Sequence, residues 1–227
     1  SILIHIINII FTIFTFPKLP YGNEPVTTKK SFTNFAVVFR KMTNLSIFGI
    51  LVMSFFVLFV GGFYHAFSVL FLKSIGWSHN TILLYLSVFS IVFLPLSLFG
   101  IKLLSSYKIT NIMFIGSILF GFGTFLFGFS AGIIGFLGIL VLMELQEFGS
   151  FLANSGRSGF FSHLFKSFPK EASAIDTMFS PLGTALGALV GGLLIGGGLS
   201  YSAIFIFGGI LILVLSFFVR RSFDTQE

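Results

Sequence analysis

The sequence predicts an all-α membrane protein, a six-transmembrane-helix bundle preceded by a basic linker and by part of another transmembrane helix. Three observations predict it. Only 9% of the 227 residues are charged and the mean hydropathy is +1.06, whereas a soluble domain carries about 25% charged residues. Two stretches, Ile109 to Met143 and Thr177 to Val219, hold 35 and 43 residues without a charge. Twelve of the thirteen Lys and Arg fall on one side of the membrane once the spans are laid out.

Residues 2–16 are apolar but about 15 long, short of the roughly 20 needed to cross a bilayer. They lack the basic start and the small-residue cleavage site of a signal peptide. They are expected to be the tail of a helix that begins upstream of Ser1, so the chain is expected to be a fragment. Pro17, Pro20, Gly22 and Pro25 end that segment. A polar linker over 17–44 follows, and its second part, SFTNFAVVFRKM, has the pattern of a short amphipathic helix on a membrane surface.

The bundle proper occupies 45–221, with 222–227 as a tail. Its first span is expected over 45–72 and its second over 80–101, where Pro95 is tolerated as a kink. The uncharged run from Ile109 would make ~52 Å of helix against a hydrocarbon core of ~30 Å, so it must turn. Ser130-Ala131-Gly132 supplies the turn and divides it into spans 110–130 and 132–153. The same reasoning puts a turn at 196–200, between spans 174–196 and 201–219. A loop over 154–173 then joins the fourth and fifth spans.

With 17–44 in the cytoplasm, alternation places 102–109, 154–173 and 220–227 on the same side. Lys73 alone falls outside, which agrees with the positive-inside rule. The basic residues form short juxtamembrane clusters, so the net charge of +6 does not point to a nucleic-acid partner. The absence of cysteine excludes disulfides, thiolate chemistry and Cys-based zinc sites. No Gly-rich phosphate loop with a Lys-Ser/Thr pair is present, and no cofactor or metal is expected.

Ionisable residues inside a membrane are the natural functional candidates. Glu144 lies about 12 residues into the expected fourth span, ~18 Å from its outer turn. A carboxylate at that depth costs at least ~2.5 kcal/mol unless it meets a cavity, a cation or a proton. Glu147 shares its helix face three residues on. Such a pair suits proton coupling or a cationic solute, or else serves as a structural pair bonded to neighbours. Tyr64 and His65 in the first span and Gln146 complete the expected substrate and proton pathway; His65 either relays protons or is a satisfied hydrogen-bonding residue, and Gln146 bonds either substrate or a neighbouring helix. Tyr85 either lines the same cavity or faces lipid. Arg157 in NSGRSG is expected at a cytoplasmic helix end, pairing with Glu147 or Asp176 as an anchor or gate. Asp176 is expected to open the fifth helix, stabilised by the helix dipole. Gly183, Gly187 and Gly191, four apart, form a close-packing face.

Residues 169–194, PKEASAIDTMFSPLGTALGALVGGLL, resemble the eleventh helix of the major facilitator superfamily. In that family a Pro-x-Glu loop leads into a helix with small residues at every fourth position. The linker and residues 48–100, with the loop SIGWSHNT, are similar to that family's seventh and eighth helices. The resemblance covers about residues 17–221. It implies two three-helix inverted repeats that rock against an N-terminal six-helix half not contained in this chain. It also implies secondary active transport of a small solute by alternating access, proton-coupled through the buried carboxylates, in the plasma membrane with linker and C-terminus cytoplasmic. The loop GIKLLSSYKIT corresponds to the family's cytoplasmic gate loop; Gly100, Lys102 and Lys108 are present, but the family's acidic residue is not.

Two other classes are weighed. Gly156-Arg157-Ser158-Gly159 resembles the G-x-S-G of rhomboid intramembrane proteases, but no His follows in the last two spans to act as base. The chain is therefore not expected to be an enzyme. A membrane scaffold or receptor-like protein is the other alternative, against which the buried carboxylates weigh.

Overall fold

The computed structural model describes residues 28–224. The expected helix tail at 2–16, the linker up to residue 27 and residues 225–227 lie outside them. Backbone contacts divide the chain into two units, 1–33 and 34–227. Of the first, only 28–33 are described, as the opening residues of a helix. The remainder of that helix and the whole bundle belong to the second.

Seven α-helices and no strands occur among the described residues: α1 (Thr28–Met42), α2 (Leu45–Ser74), α3 (His79–Ser106), α4 (Ile109–Ser130), α5 (Phe136–Leu164), α6 (Pro169–Gly196) and α7 (Tyr201–Asp224). The last six are long and apolar enough to cross a bilayer, the mark of a multi-pass membrane protein.

Local chemistry explains where these helices start and stop. Gly76, at φ +97°, turns the chain out of α2, a conformation that glycine adopts without steric penalty. Ser78 then caps α3, its Oγ accepting from the Thr81 N–H at 3.1 Å. Both long uncharged runs turn where their length requires, at 131–135 and 197–200. Gly198, at φ +96°, makes the second turn. Pro95 and Pro181 lie inside α3 and α6, and Pro169 occupies the first turn of α6.

One boundary differs substantially from expectation. The fourth span was expected to end near 153 with a loop over 154–173, yet α5 runs to Leu164 and the connection to α6 is only 165–168. Gly156, read as part of a helix end, is instead a packing residue: a Cβ there would lie 2.5 Å from Met113 Cγ of α4. Gly156 of NSGRSG thus lets two helices approach, and the chain meets no proline before Pro169.

In the bundle, α4 packs along α5 and α7, α2 packs along α6 and α7, and α3 packs on α5. α3 and α6 are the least buried of the six. Three seams are made by glycine. Gly183 and Gly187 of α6 lie against Leu58 and Phe59 of α2, and Gly191 meets Phe63 and Phe67. Gly116 and Gly149 face one another across α4 and α5, and Gly121 and Gly209 do so across α4 and α7. Only the first seam was singled out from sequence. The other two are spread over both partners, Gly116 and Gly123 of α4 with Gly149 and Gly156 of α5, and Gly121 and Gly128 of α4 with Gly209 of α7, so no helix shows the four-residue spacing of α6.

The centre is aromatic. Phe127, Phe205, Phe71 and Tyr64 meet mainly edge-on, with Phe127 and Phe205 centroids 5.1 Å apart. Part of the apolar surface of α1 is covered by protein: Val38 and Met42 pack on Leu51, Phe161, Phe165, Ala172 and Ile175, while Val37 and Phe39 stay exposed. Asn34 Nδ2 donates to Glu171 Oε1 at 2.9 Å, tying α1 to the first turn of α6.

Candidate functional site

Two polar clusters stand out, one within the bundle and one toward the end that carries α1. The inner cluster draws on three helices. α5 begins at Phe136 rather than 132, so Glu144 is about 12 Å and Glu147 about 16 Å along its axis. Tyr64 of α2 lies ten residues before the helix end at Ser74, about 15 Å by the same rise, which brings the side chains to a similar depth.

Glu144 is buried, at 6% exposure, and neither of its carboxylate oxygens has a hydrogen-bond partner. The Tyr64 hydroxyl is likewise buried without a partner. The hydroxyls of Tyr64 and Tyr85 lie within electrostatic range of one another and of both carboxylates. Tyr85 is fully buried, its hydroxyl donating to the Met143 sulfur, and its ring packs against Trp77, Phe89 and Phe136. It therefore belongs to the cluster and does not face lipid.

Glu147 completes the group by joining α5 to α2: its Oε1 is 3.7 Å from His65 Nδ1, an ion pair when the imidazole is protonated. The two residues differ in access. The His65 side chain is 59% exposed and that of Glu147 19%. The site thus has an open His–Glu mouth and a closed Glu144–Tyr floor. Carboxylates and an imidazole are groups that take up and release protons, and paired carboxylates can hold a small cation.

Gln146 is not part of this cluster. It is 1% exposed and turned to α4, its Cβ 2.8 Å from where a Cβ at Gly123 would stand. Its amide atoms have no hydrogen-bond partner. Two residues from Glu144 along a helix is about 200°, which puts the pair on opposite faces.

The second cluster joins α5 to α6. Arg157 Nη1 lies 2.7 Å from Asp176 Oδ1 and also donates to the Asp176 carbonyl at 3.4 Å. Ser158 Oγ donates to Asp176 Oδ2 at 2.8 Å. The guanidinium stands 5.9 Å over the Phe179 ring. Because α6 starts at Pro169, Asp176 is in its second turn and faces Arg157. Its main partner is therefore this cation, and the helix dipole expected for a first-turn position is secondary. Glu171 takes the first-turn place. Lys102 and Lys108 are exposed at the α3–α4 turn, on other helices from this pair.

The inner cluster makes a stability prediction. Replacing Glu144 by Met keeps the volume and removes a buried carboxylate without hydrogen bonds. The purified Glu144→Met protein is expected to be more stable by up to roughly 2.5 kcal/mol, the insertion penalty of a mid-membrane carboxylate. Reversible unfolding in mixed micelles reads this directly; a loss of stability would mean that Glu144 is a structural pair.

Comparison with family models, with curated proteins and with solved structures gives no match.

Proposed function

We propose that this chain is one six-helix half of a secondary active transporter built like those of the major facilitator superfamily. It moves a small solute by alternating access, with protons carried through Glu144. The observation that carries this reading is the buried Glu144 carboxylate, without a hydrogen-bond partner inside an apolar bundle. Such a group opposes stability, and a scaffold gains nothing from it. A transporter uses it, because a carboxylate that takes up and releases a proton couples a gradient to solute movement.

The helix pairing supports an arrangement in two three-helix repeats, α2–α4 and α5–α7. Exchange α2 with α5, α3 with α6 and α4 with α7. The pair α4–α5 becomes α7–α2, α2–α6 becomes α5–α3, and α2–α3 becomes α5–α6, while α4–α7 and α2–α5 map onto themselves; each of these contacts occurs. Only the slight α2–α4 contact lacks its counterpart. Exchanged helices are first and fourth in an alternating series, so they run in opposite directions, as inverted repeats require. The exchange also relates α3 to α6, the two least buried helices. On this reading a second six-helix half packs along them, and the His65–Glu147 mouth opens toward it. The end bearing α1 and the C-terminus is cytoplasmic, in a plasma membrane, following the charge asymmetry.

The test is solute-driven proton movement. The chain, co-expressed with a matching N-terminal half, is reconstituted into vesicles holding a pH-sensitive dye. It is then challenged with sugars, amino acids, organic anions and organic cations. At least one solute is expected to change the internal pH. Glu144→Gln is expected to reduce that change at least tenfold, given the ~2.5 kcal/mol scale of the group. An undiminished response in Glu144→Gln removes this residue from the mechanism. No response to any solute favours the scaffold.

A further inference from the structure

Two cavities adjoin where α1 meets α2. The first is an open cleft of ≈ 630 Å³ lined by Val37, Arg40, Lys41, Thr43 and Ile47 among others. The second is an apolar groove of ≈ 350 Å³ beside it, lined by Phe39 and Met42 of α1, by Thr43 of the turn, by Phe48, Leu51, Val52, Phe55 and Phe56 of α2, and by Phe179. Thr43 belongs to both. The α2 positions follow the i, i+3, i+4, i+7 spacing of one helix face, and from Phe48 to Phe56 they descend about 12 Å.

The polar cleft lies at the end of a membrane span, and the apolar groove runs from it along that span. Among the described residues, no acidic side chain lines either cavity. Arg40 and Lys41 are both exposed, and the Lys41 ammonium stands 5.9 Å over the Phe168 ring, which holds it at this end of the bundle. Phe39 and Phe48, 56% and 54% exposed, flank the groove. We propose that this junction binds an anionic phospholipid, its phosphate held by Arg40 and Lys41 and one acyl chain lying against the Phe48–Phe56 face. The charge selects the lipid class. A zwitterionic headgroup presents no net charge to two cations, whereas each basic side chain near an anionic lipid surface strengthens binding about fivefold. The site does not depend on the transporter reading. It requires only that α2 spans the membrane, and it gives α1 a reason to stay at the surface beside the bundle.

The test uses the full purified chain in detergent, with native mass spectrometry of bound lipid. Phosphatidylglycerol and phosphatidylcholine of identical chains are the probes. Phosphatidylglycerol is expected to be retained in preference. Arg40→Ala with Lys41→Ala should weaken it about 30-fold and bring it level with phosphatidylcholine. If that variant is not recovered intact, Arg40→Gln with Lys41→Gln, which keeps much of each aliphatic stem, carries the same expectation. Val52→Trp, which fills the groove, should weaken the lipid but leave any binding of soluble glycerol 3-phosphate unchanged. The chain has no cysteine, so Val52→Cys carries a single photo-crosslinker, expected to capture phospholipid. Equal retention of the two lipids, indifference to both charge variants, or cross-linking to residues 1–27 or to a second copy overturns the proposal.

Discussion

Gly187→Ala is expected to destabilise the bundle severely, by about 3 kcal/mol or more, at the upper end of what overpacking costs. A Cβ at this position would lie 1.8 Å from the Phe59 carbonyl oxygen of α2. The clashing atom belongs to backbone, so no side-chain rotation relieves it. The helices must separate, and the opposite side of the seam is equally tight: a Cβ at Gly62 of α2 would lie 2.2 Å from the Thr184 carbonyl oxygen of α6. Moving α6 outward therefore loosens Gly183 and Gly191 as well. The control is Gly192→Ala, one turn on but off the seam, where the nearest neighbour is Phe67 Cζ at 3.7 Å. It should be neutral. Unfolding in mixed micelles, or heat-induced loss of the monodisperse particle, compares the two. Equal stabilities would mean that α2 and α6 are not packed in this register.

The second large effect is expected at the α5–α6 ion pair. Asp176→Ala leaves the Arg157 guanidinium buried opposite no carboxylate and takes the acceptor from Ser158. Breaking a buried pair on one side costs roughly 3–5 kcal/mol. Removing both charges is different. Arg157→Met with Asp176→Leu fills the space with apolar groups and is expected to restore most of the lost stability. Arg157→Met, Asp176→Leu and the double variant, measured by the same unfolding assay, give the coupling. If the effects simply add, the two residues do not act as a pair. In the transporter reading the double variant has a further use: a stable but inactive protein would identify the pair as a gate, whereas stable and active would make it an anchor.

The class of protein was legible in the sequence because lipid imposes strong constraints. Every backbone group must be satisfied within its own helix, and the hydrocarbon thickness limits how far a helix runs. That is why two uncharged runs announced their turns near Ser130 and Gly198 to within a few residues. It is also why α5 was misjudged at its far end. Beyond the hydrocarbon region no such length limit applies, and the glycines of NSGRSG have two meanings. As loop residues they end a helix, and as packing residues they admit Met113. Only the neighbouring helix distinguishes these.

The candidate site was partly legible for a similar reason. A carboxylate within an apolar run is conspicuous, so Glu144 and Glu147 were found. Helical spacing alone sets Gln146 about 200° from Glu144, which agrees with the helix-neighbour reading of that residue. What periodicity does not contain is the angle at which a neighbouring helix arrives. The pairing of His65 with Glu147, the inclusion of Tyr85 with Glu144, and the choice of Asp176 over Glu147 as partner of Arg157 all depend on that angle.

By itself, then, the amino-acid order determined that the chain is a helical membrane protein with six spans, and that Glu144 lies buried in one of them; the burial of Glu171 came only with the packed structure. The spans and the depth of Glu144 follow from transfer energies and helix rise, which act on each segment separately. The tertiary structure alone decided which helices touch, which glycines are seams, and which side chains meet. Those depend on close packing between segments far apart in sequence, where a shift of one ångström changes every partner.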